Sequence, residues 1–227
     1  MSENKQAAND SEFAIAKYTN GQTNAFVKKV MQQSGHTDIL ELVLSGKVTL
    51  TIKSDAPVVE QMSVPKWTEV NNRFCFQVSS NGKTGAEWSV SLQKQGFRVS
   101  SYAESILLSD DFKPTNGVTY EVVVLKGISF ASKNRVTKKI RAEATKSKLM
   151  APNAEVVCLI RELLTDEDLK AMGLWYIVAM HEPIKDSDGD PYLLSAHRSG
   201  DGAWLGAFYG KPDGEWHEVG GFAFVAQ

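Results

Sequence analysis

Apolar and polar positions along this chain follow two periods, and the places where the period changes mark its elements. Met1 to about Tyr18 is polar and aperiodic, which predicts a loose arm. From Thr23, the residues Phe26, Val27, Val30 and Met31 fall on one helical face that closes at Gly35. Asp38, with Glu41 three residues later, opens a second short helix ending near Gly46. In KVTLTIK, Val48, Leu50 and Ile52 alternate with Thr49, Thr51 and Lys53, as in a half-buried strand. Asp55 to Pro65 then reads as a loop or linker. The expected organisation is an arm over 1–18, a small helix–helix–strand segment over 19–60, and a main α+β domain over 61–227.

Within the main domain, Phe74, Phe76 and Val78 share one strand face, and Asn81-Gly82 turns the chain. Thr84 and Glu87 form a capping box, while Gly96 followed by Phe97, placed to touch Leu92, predicts a Schellman stop. Ser101 and Glu104 repeat the box for a short helix carrying Ala103, Ile106 and Leu107. GVTYEVVVLKG is apolar on nearly both faces from Val122 to Leu125, the mark of a central strand covered on two sides. PNAEVVCLIRELL puts Val156, Leu159, Ile160, Leu163 and Leu164 on one helical stripe that must be buried. Thr165 caps the next helix, Leu164 staples Leu169, and Gly173 stops it.

Beyond Gly173 the period becomes two. LWYIVAMH, PYLLSAHR, AWLGAFYG and GFAFVA are short strand-like runs separated by turns at Asp186–Pro191, Gly200–Gly202 and Pro212–Gly214. The expected fold class is therefore α+β, with mixed helices and strands in the first two thirds and a C-terminal antiparallel β-meander packed on helices.

Composition narrows the class of protein. The 227 residues carry 27 acidic and 25 basic side chains, a slightly negative balance that argues against coating nucleic acid everywhere. The first residues lack an apolar signal region and no window approaches a membrane span, so the expectation is a cytoplasmic chain with no membrane association. Cys75 and Cys158 stand far apart in apolar segments, without metal-ligand spacing, and read as two buried thiols.

Several segments offer chemistry, each with a plain structural reading beside it. The Lys133–Lys148 segment holds seven basic residues against Glu143 alone, and Lys138, Lys139 and Arg141 would carry a nucleic-acid contact. No aromatic interleaves with them to stack a base, so a solvated helix face is the preferred reading. Asp186, Asp188 and Asp190 share a turn, but the glycine and the final ligand of an EF-hand are misplaced, so no metal or other cofactor is expected there. His181-Glu182, His197 and His217-Glu218 would suit zinc or acid–base work only if they converged, and they lack helical HExxH geometry. That leaves a metal-dependent hydrolase as a remote reading. Gly82-Lys83-Thr84 lacks the first glycine of a P-loop, and there is no GxSxG, no dinucleotide fingerprint and no nucleophile–base pattern, so no catalytic residue is assigned.

The aromatic set Trp175, Tyr192, Trp204, Phe208, Tyr209, Trp216, Phe222 and Phe224 crowds the last third of the chain. Alternation puts aromatics on both faces of the meander, more than one helix layer can bury, and surplus Tyr and Trp beside Gly, Ser, Asp and His is recognition chemistry. Two resemblances bear on this. TGAEW, KQGFRVSSYAESIL, DFKPTNGVTYEVVVLKG, PNAEVVCLIREL and MHEPIKDSDGDP, from about Arg73 onward, resemble a family of hypothetical proteins from uncultivated small-genome bacteria, which implies no activity. The closing GFAFV after a Trp/Tyr/Gly-rich stretch resembles the C-type-lectin-like target proteins of diversity-generating retroelements, with Ala223 where their strand carries arginine; that resemblance implies varied positions between about Ala196 and Val219. The expectation is a non-enzymatic binding protein presenting His197, Arg198, Trp204, Tyr209, Trp216 and His217 to a protein ligand, with nucleic-acid binding the alternative and homo-oligomerisation open.

Overall fold

The structure, a computed structural model, describes Lys28, residues 65–186 and residues 188–227. The chain divides into two units, Met1–Gln61 and Met62–Gln227, and the sheet with its helices belongs to the second. The expected arm over 1–18 and the helices and strand over 19–60 lie outside the described residues.

Ten strands form one sheet: β1 (Thr68–Val70), β2 (Arg73–Asn81), β3 (Arg98–Val99), β4 (Asn116–Lys126), β5 (Leu149–Met150), β6 (Tyr176–Ala179), β7 (Ile184–Lys185), β8 (Pro191–Ser199), β9 (Gly202–Tyr209) and β10 (Gly220–Ala226). Their spatial order is β1-β2-β4-β10-β6-β8-β9-β3, with β5 beside β10 and β7 beside β8. The domain is α+β. Five helices accompany the sheet: α1 (Gly85–Lys94), α2 (Ser101–Leu107), α3 (Thr137–Lys146), α4 (Val156–Leu163) and α5 (Asp166–Ala171).

The meander holds for three strands and fails for the fourth. β6, β8 and β9 are antiparallel neighbours in sequence order. β10 does not continue beyond β9; it crosses back to lie parallel to β6, with Gly221 opposite Ile177 and Phe222 opposite Val178, and antiparallel to β4 on its other side. The crossover, residues 210–219, runs over the sheet and is pinned there by Trp216, whose backbone N–H donates to the Arg135 carbonyl at 2.9 Å. Entry between β4 and β6 is tight. A Cβ at position 220 would stand 2.5 Å from the Tyr176 ring, so only glycine fits.

Strand alternation sorts the core into two layers. On the first face Phe74, Phe76, Val78, Val122, Val124, Ile177, Leu194, Ala196 and Leu205 pack under α1, α2, α4 and α5. On the second face Leu125, Tyr176, Val178, Leu193, Phe222 and Phe224 pack with Ile140 and Ala144 of α3 and with Trp216.

Local signals place the helices. Thr84 and Glu87 make the reciprocal capping box of α1, and the Phe97 N–H donates to the Leu92 carbonyl at 3.0 Å to close it. α5 has the same box between Thr165 and Asp168. The α2 cap is Ser100, one residue before the expected Ser101, because the Ser100 N–H is already spent on the Leu205 carbonyl and its hydroxyl is left facing the Ala103 N–H. α4 is buried on nearly every side rather than along a stripe. Its first turn begins at fully buried Glu155, whose carboxyl oxygens accept from the Thr115 N–H and hydroxyl and from the Tyr120 hydroxyl, so this buried polar group is met by hydrogen-bond donors of the fold. Cys158 on the same helix is buried and Cys75 half-buried; both are free thiols, raised above the ordinary range by burial.

Candidate recognition end of the β8–β9 hairpin

Gly200 and Asp201 form the two-residue link between Ser199 of β8 and Gly202 of β9. Asp201 organises what lies beside it. Its carboxylate accepts from Arg98 Nη1 at 2.8 Å and from the Trp204 indole N–H at 3.0 Å. Hydrogen bonds from Ser199 and Trp204, then the Arg98 charge, hold that carboxyl below its ordinary range. Because Arg98 and Trp204 are paired residues of β3 and β9, the guanidinium lies 5.3 Å from the indole centre on the second face. The His197 ring stacks parallel to Trp204 at 6.1 Å and lies across Gly206, where any Cβ would collide with it. Burial, then the nearby Arg161 charge, push His197 below the usual histidine range.

A second stack stands on the opposite face of the same sheet end. Arg198 lies 4.3 Å from the centre of the Trp175 ring, and its Nε–H donates to the Leu174 carbonyl at 2.8 Å. Trp175 is 48% exposed, high for so large an apolar ring.

No family model, curated protein or solved structure matches this chain.

The geometry divides the expected ligand-binding residues four ways. His197, Arg198 and Trp204 gather at the hairpin link. Tyr209 belongs to the far end, six or more strand residues and roughly 20 Å away, where Tyr102, Tyr192 and Tyr209 stack at 5.2 and 4.8 Å and the Tyr209 hydroxyl donates to Asp190. Trp216 is interior: it is 9% exposed, its indole donates to Thr137 Oγ1 at 3.0 Å, and its ring meets Phe208 and Phe222 edge to face. It cannot face a ligand without unpacking the second layer. His217 is exposed, with its N–H donated to the Tyr176 hydroxyl.

The basic segment is largely committed to the fold. Lys138 pairs with Asp213 at 2.5 Å, Lys139 donates to the Lys133 carbonyl and to Asn134, and half-buried Arg141 donates to the His181 carbonyl and pairs with Glu182 at 3.5 Å. Desolvation lowers the Arg141 pKa.

His181 is equally committed. Its Nδ1–H donates to the Glu182 carbonyl and its Nε2 accepts the Leu194 N–H, so the ring replaces a ladder bond between β6 and β8, and burial pushes its pKa down to about 4. The three-aspartate turn folds on itself, with Asp186 Oδ1 accepting the Asp188 and Asp190 N–H groups. Among the described residues no three His, Cys, Asp or Glu side chains are grouped as metal ligands, and no helix is long and apolar enough to cross a membrane.

Sequence reasoning missed Arg98 and Asp201, which meet across 103 residues of chain. It also left Trp175 in the aromatic crowd without a role. The one local signal was an exposed-end position: Trp175 stands two residues after the Gly173 helix stop and just before the first strand residue, buried Tyr176.

Proposed function

We propose that this chain is a non-enzymatic binding protein that engages a protein partner through the Arg–Trp ridge at the β8–β9 link. The observation that carries this reading is the pair of ordered stacks, Trp175 with Arg198 and Trp204 with Arg98, on the two sides of one hairpin end. Trp and Arg are the side chains that most often dominate protein interfaces. Here each guanidinium is already fixed, by Asp201 or by the Leu174 carbonyl, so little side-chain entropy remains to be lost on association. A reactive arrangement is disfavoured at this end: Ser195 Oγ is fully buried and 3.5 Å from His197 Nδ1, beyond an effective hydrogen bond and closed to substrate.

The nucleic-acid alternative is weakened because Lys138, Lys139 and Arg141 each have protein partners. The diversified, lectin-like version of the binding reading would need variation at exposed positions such as Ser199 and Asp201 and at half-buried Arg198, with Leu205 and Trp216 constant.

Affinity capture from cells of the source population tests the main reading. A protein retained by the native chain, and by a Val118→Ala control, should be lost about 30-fold or more from Trp175→Ala/Trp204→Ala, the loss expected of a hot-spot pair. An identical set of retained proteins for the native chain and the double variant would end the proposal.

A further inference from the structure

At the far edge of the sheet from the hairpin ridge, a cleft of about 350 Å³ opens between the β1–β2 turn, the end of β4 and α3. That is the size of a small-ligand pocket. Asn71 and Asn72, both in the left-handed region at φ 51° and 61°, make the two-residue turn that forms one wall. Asn72 reaches across the rim to donate to Ser129 Oγ at 2.9 Å. Leu125 and Phe130 supply the apolar part, and Arg73, Asn134 and Glu143 the rest of the polar lining.

Two charges of opposite sign face this space, and their availability differs from that of their neighbours. Lys126 is paired with Glu69, and Arg135 donates to the Gly127 and Phe130 carbonyls and pairs with Glu218. Among the described residues Arg73, by contrast, has one side-chain hydrogen bond, Nη2 to Ser147 Oγ at 2.8 Å, and takes part in no ion pair. That contact uses one of the five N–H donors of its guanidinium, a fork suited to an oxyanion. Ser147, the residue that ends α3, lies one turn after Glu143, so Arg73 is anchored at the α3 end of the cleft that Glu143 also lines; among the described residues the Glu143 carboxylate has one ion pair, a loose 3.6 Å contact with exposed Lys146.

A plain anion would meet Arg73 but be repelled by Glu143, and a plain cation the reverse. We infer that this cleft binds a small zwitterion of the free amino-acid class, carboxylate on Arg73 and ammonium on Glu143, with Asn71, Asn72, Ser129 and Asn134 reading its polar substituents.

Calorimetric titration of the full chain with pools of the standard amino acids, then with single members, tests this. Lactate and 2-hydroxyglutarate serve as counterparts lacking the amine, and inorganic phosphate as a bare oxyanion. At least one amino acid should bind saturably with a Kd of about 1 mM or tighter, and Arg73→Gln and Glu143→Gln should each weaken it about tenfold or more. Ala131→Trp, at an exposed position on the rim, should block the cleft while the thermal midpoint stays native. Hydroxy acids or phosphate binding as well as amino acids, or Glu143→Gln leaving affinity unchanged, would overturn the zwitterion assignment. Absence of heat with every pool would overturn the site itself.

Discussion

On its first face the sheet meets four helices, and Phe74, Phe76, Trp88, Phe112 and Tyr192 are dispersed among a larger set of Leu, Ile, Val and Ala, whereas on its second it meets one ten-residue helix and a crossing loop, and there ring packs on ring. The difference follows from what each cover can supply. Helices deliver aliphatic side chains at regular spacing and fill the space between layers densely. A loop has no such spacing, so long-reaching Tyr176, Phe208, Trp216 and Phe222 close the gap, and their polar handles are met by Thr137 and the His217 backbone. An aromatic-rich segment is therefore a poor guide to a binding face until its cover is known. Four tryptophans show the range: Trp88 and Trp216 are structural, Trp204 half-buried, and Trp175 displayed.

The comparison is broken most directly by removing one ring from each layer. Trp88→Ala should cost about 4 kcal/mol and Trp216→Ala about 3 kcal/mol, read from urea midpoints. A loss under about 1 kcal/mol at position 216 would mean that the loop, not the ring, closes the second layer.

Acid probes the seam between β6 and β8. His181 is held neutral in the fold down to about pH 4, while in the unfolded chain it takes a proton near the ordinary histidine value. The unfolded state therefore binds more protons in that window. Stability is fully present above about pH 6.5 and falls by about 3 kcal/mol as pH drops toward 4. His181→Gln should flatten that part of the pH dependence in denaturation series at successive pH values; an unchanged slope would assign it to other groups.

Thr137→Val leaves the Trp216 indole N–H buried without a partner and should cost about 1–3 kcal/mol in the same assay. The smallest effect is at the displayed ring. Trp175→Ala should change stability by about 0.5–1 kcal/mol, the worth of an exposed cation–π pair, which sharpens the contrast with Trp216.

Much of the local structure was legible. The capping boxes at Thr84 and Thr165, the stop at Gly96-Phe97, the helix at α4 though not its burial on nearly every side, and the two-sided apolar run of β4 depend on neighbours within a few residues, and these the sequence states directly. The crossover of β10 was not legible, because alternation says which face a residue takes but not which strand lies beside it. Trp216 was misplaced for the same reason: it sits in a loop without a period. The ridge was half legible. His197, Arg198 and Trp204 lie on one hairpin, but their organisers Arg98 and Asp201 meet only in three dimensions, as do Lys138 with Asp213 and Arg141 with Glu182.

β10 is the last of the described strands to be synthesised, yet it occupies the middle of the sheet. On the ribosome, β2–β4 and β6–β8–β9 therefore emerge as two separate half-sheets, each with an unpaired inner edge waiting for one seven-residue strand. Until it arrives, those edges present unpaired backbone that another chain can extend.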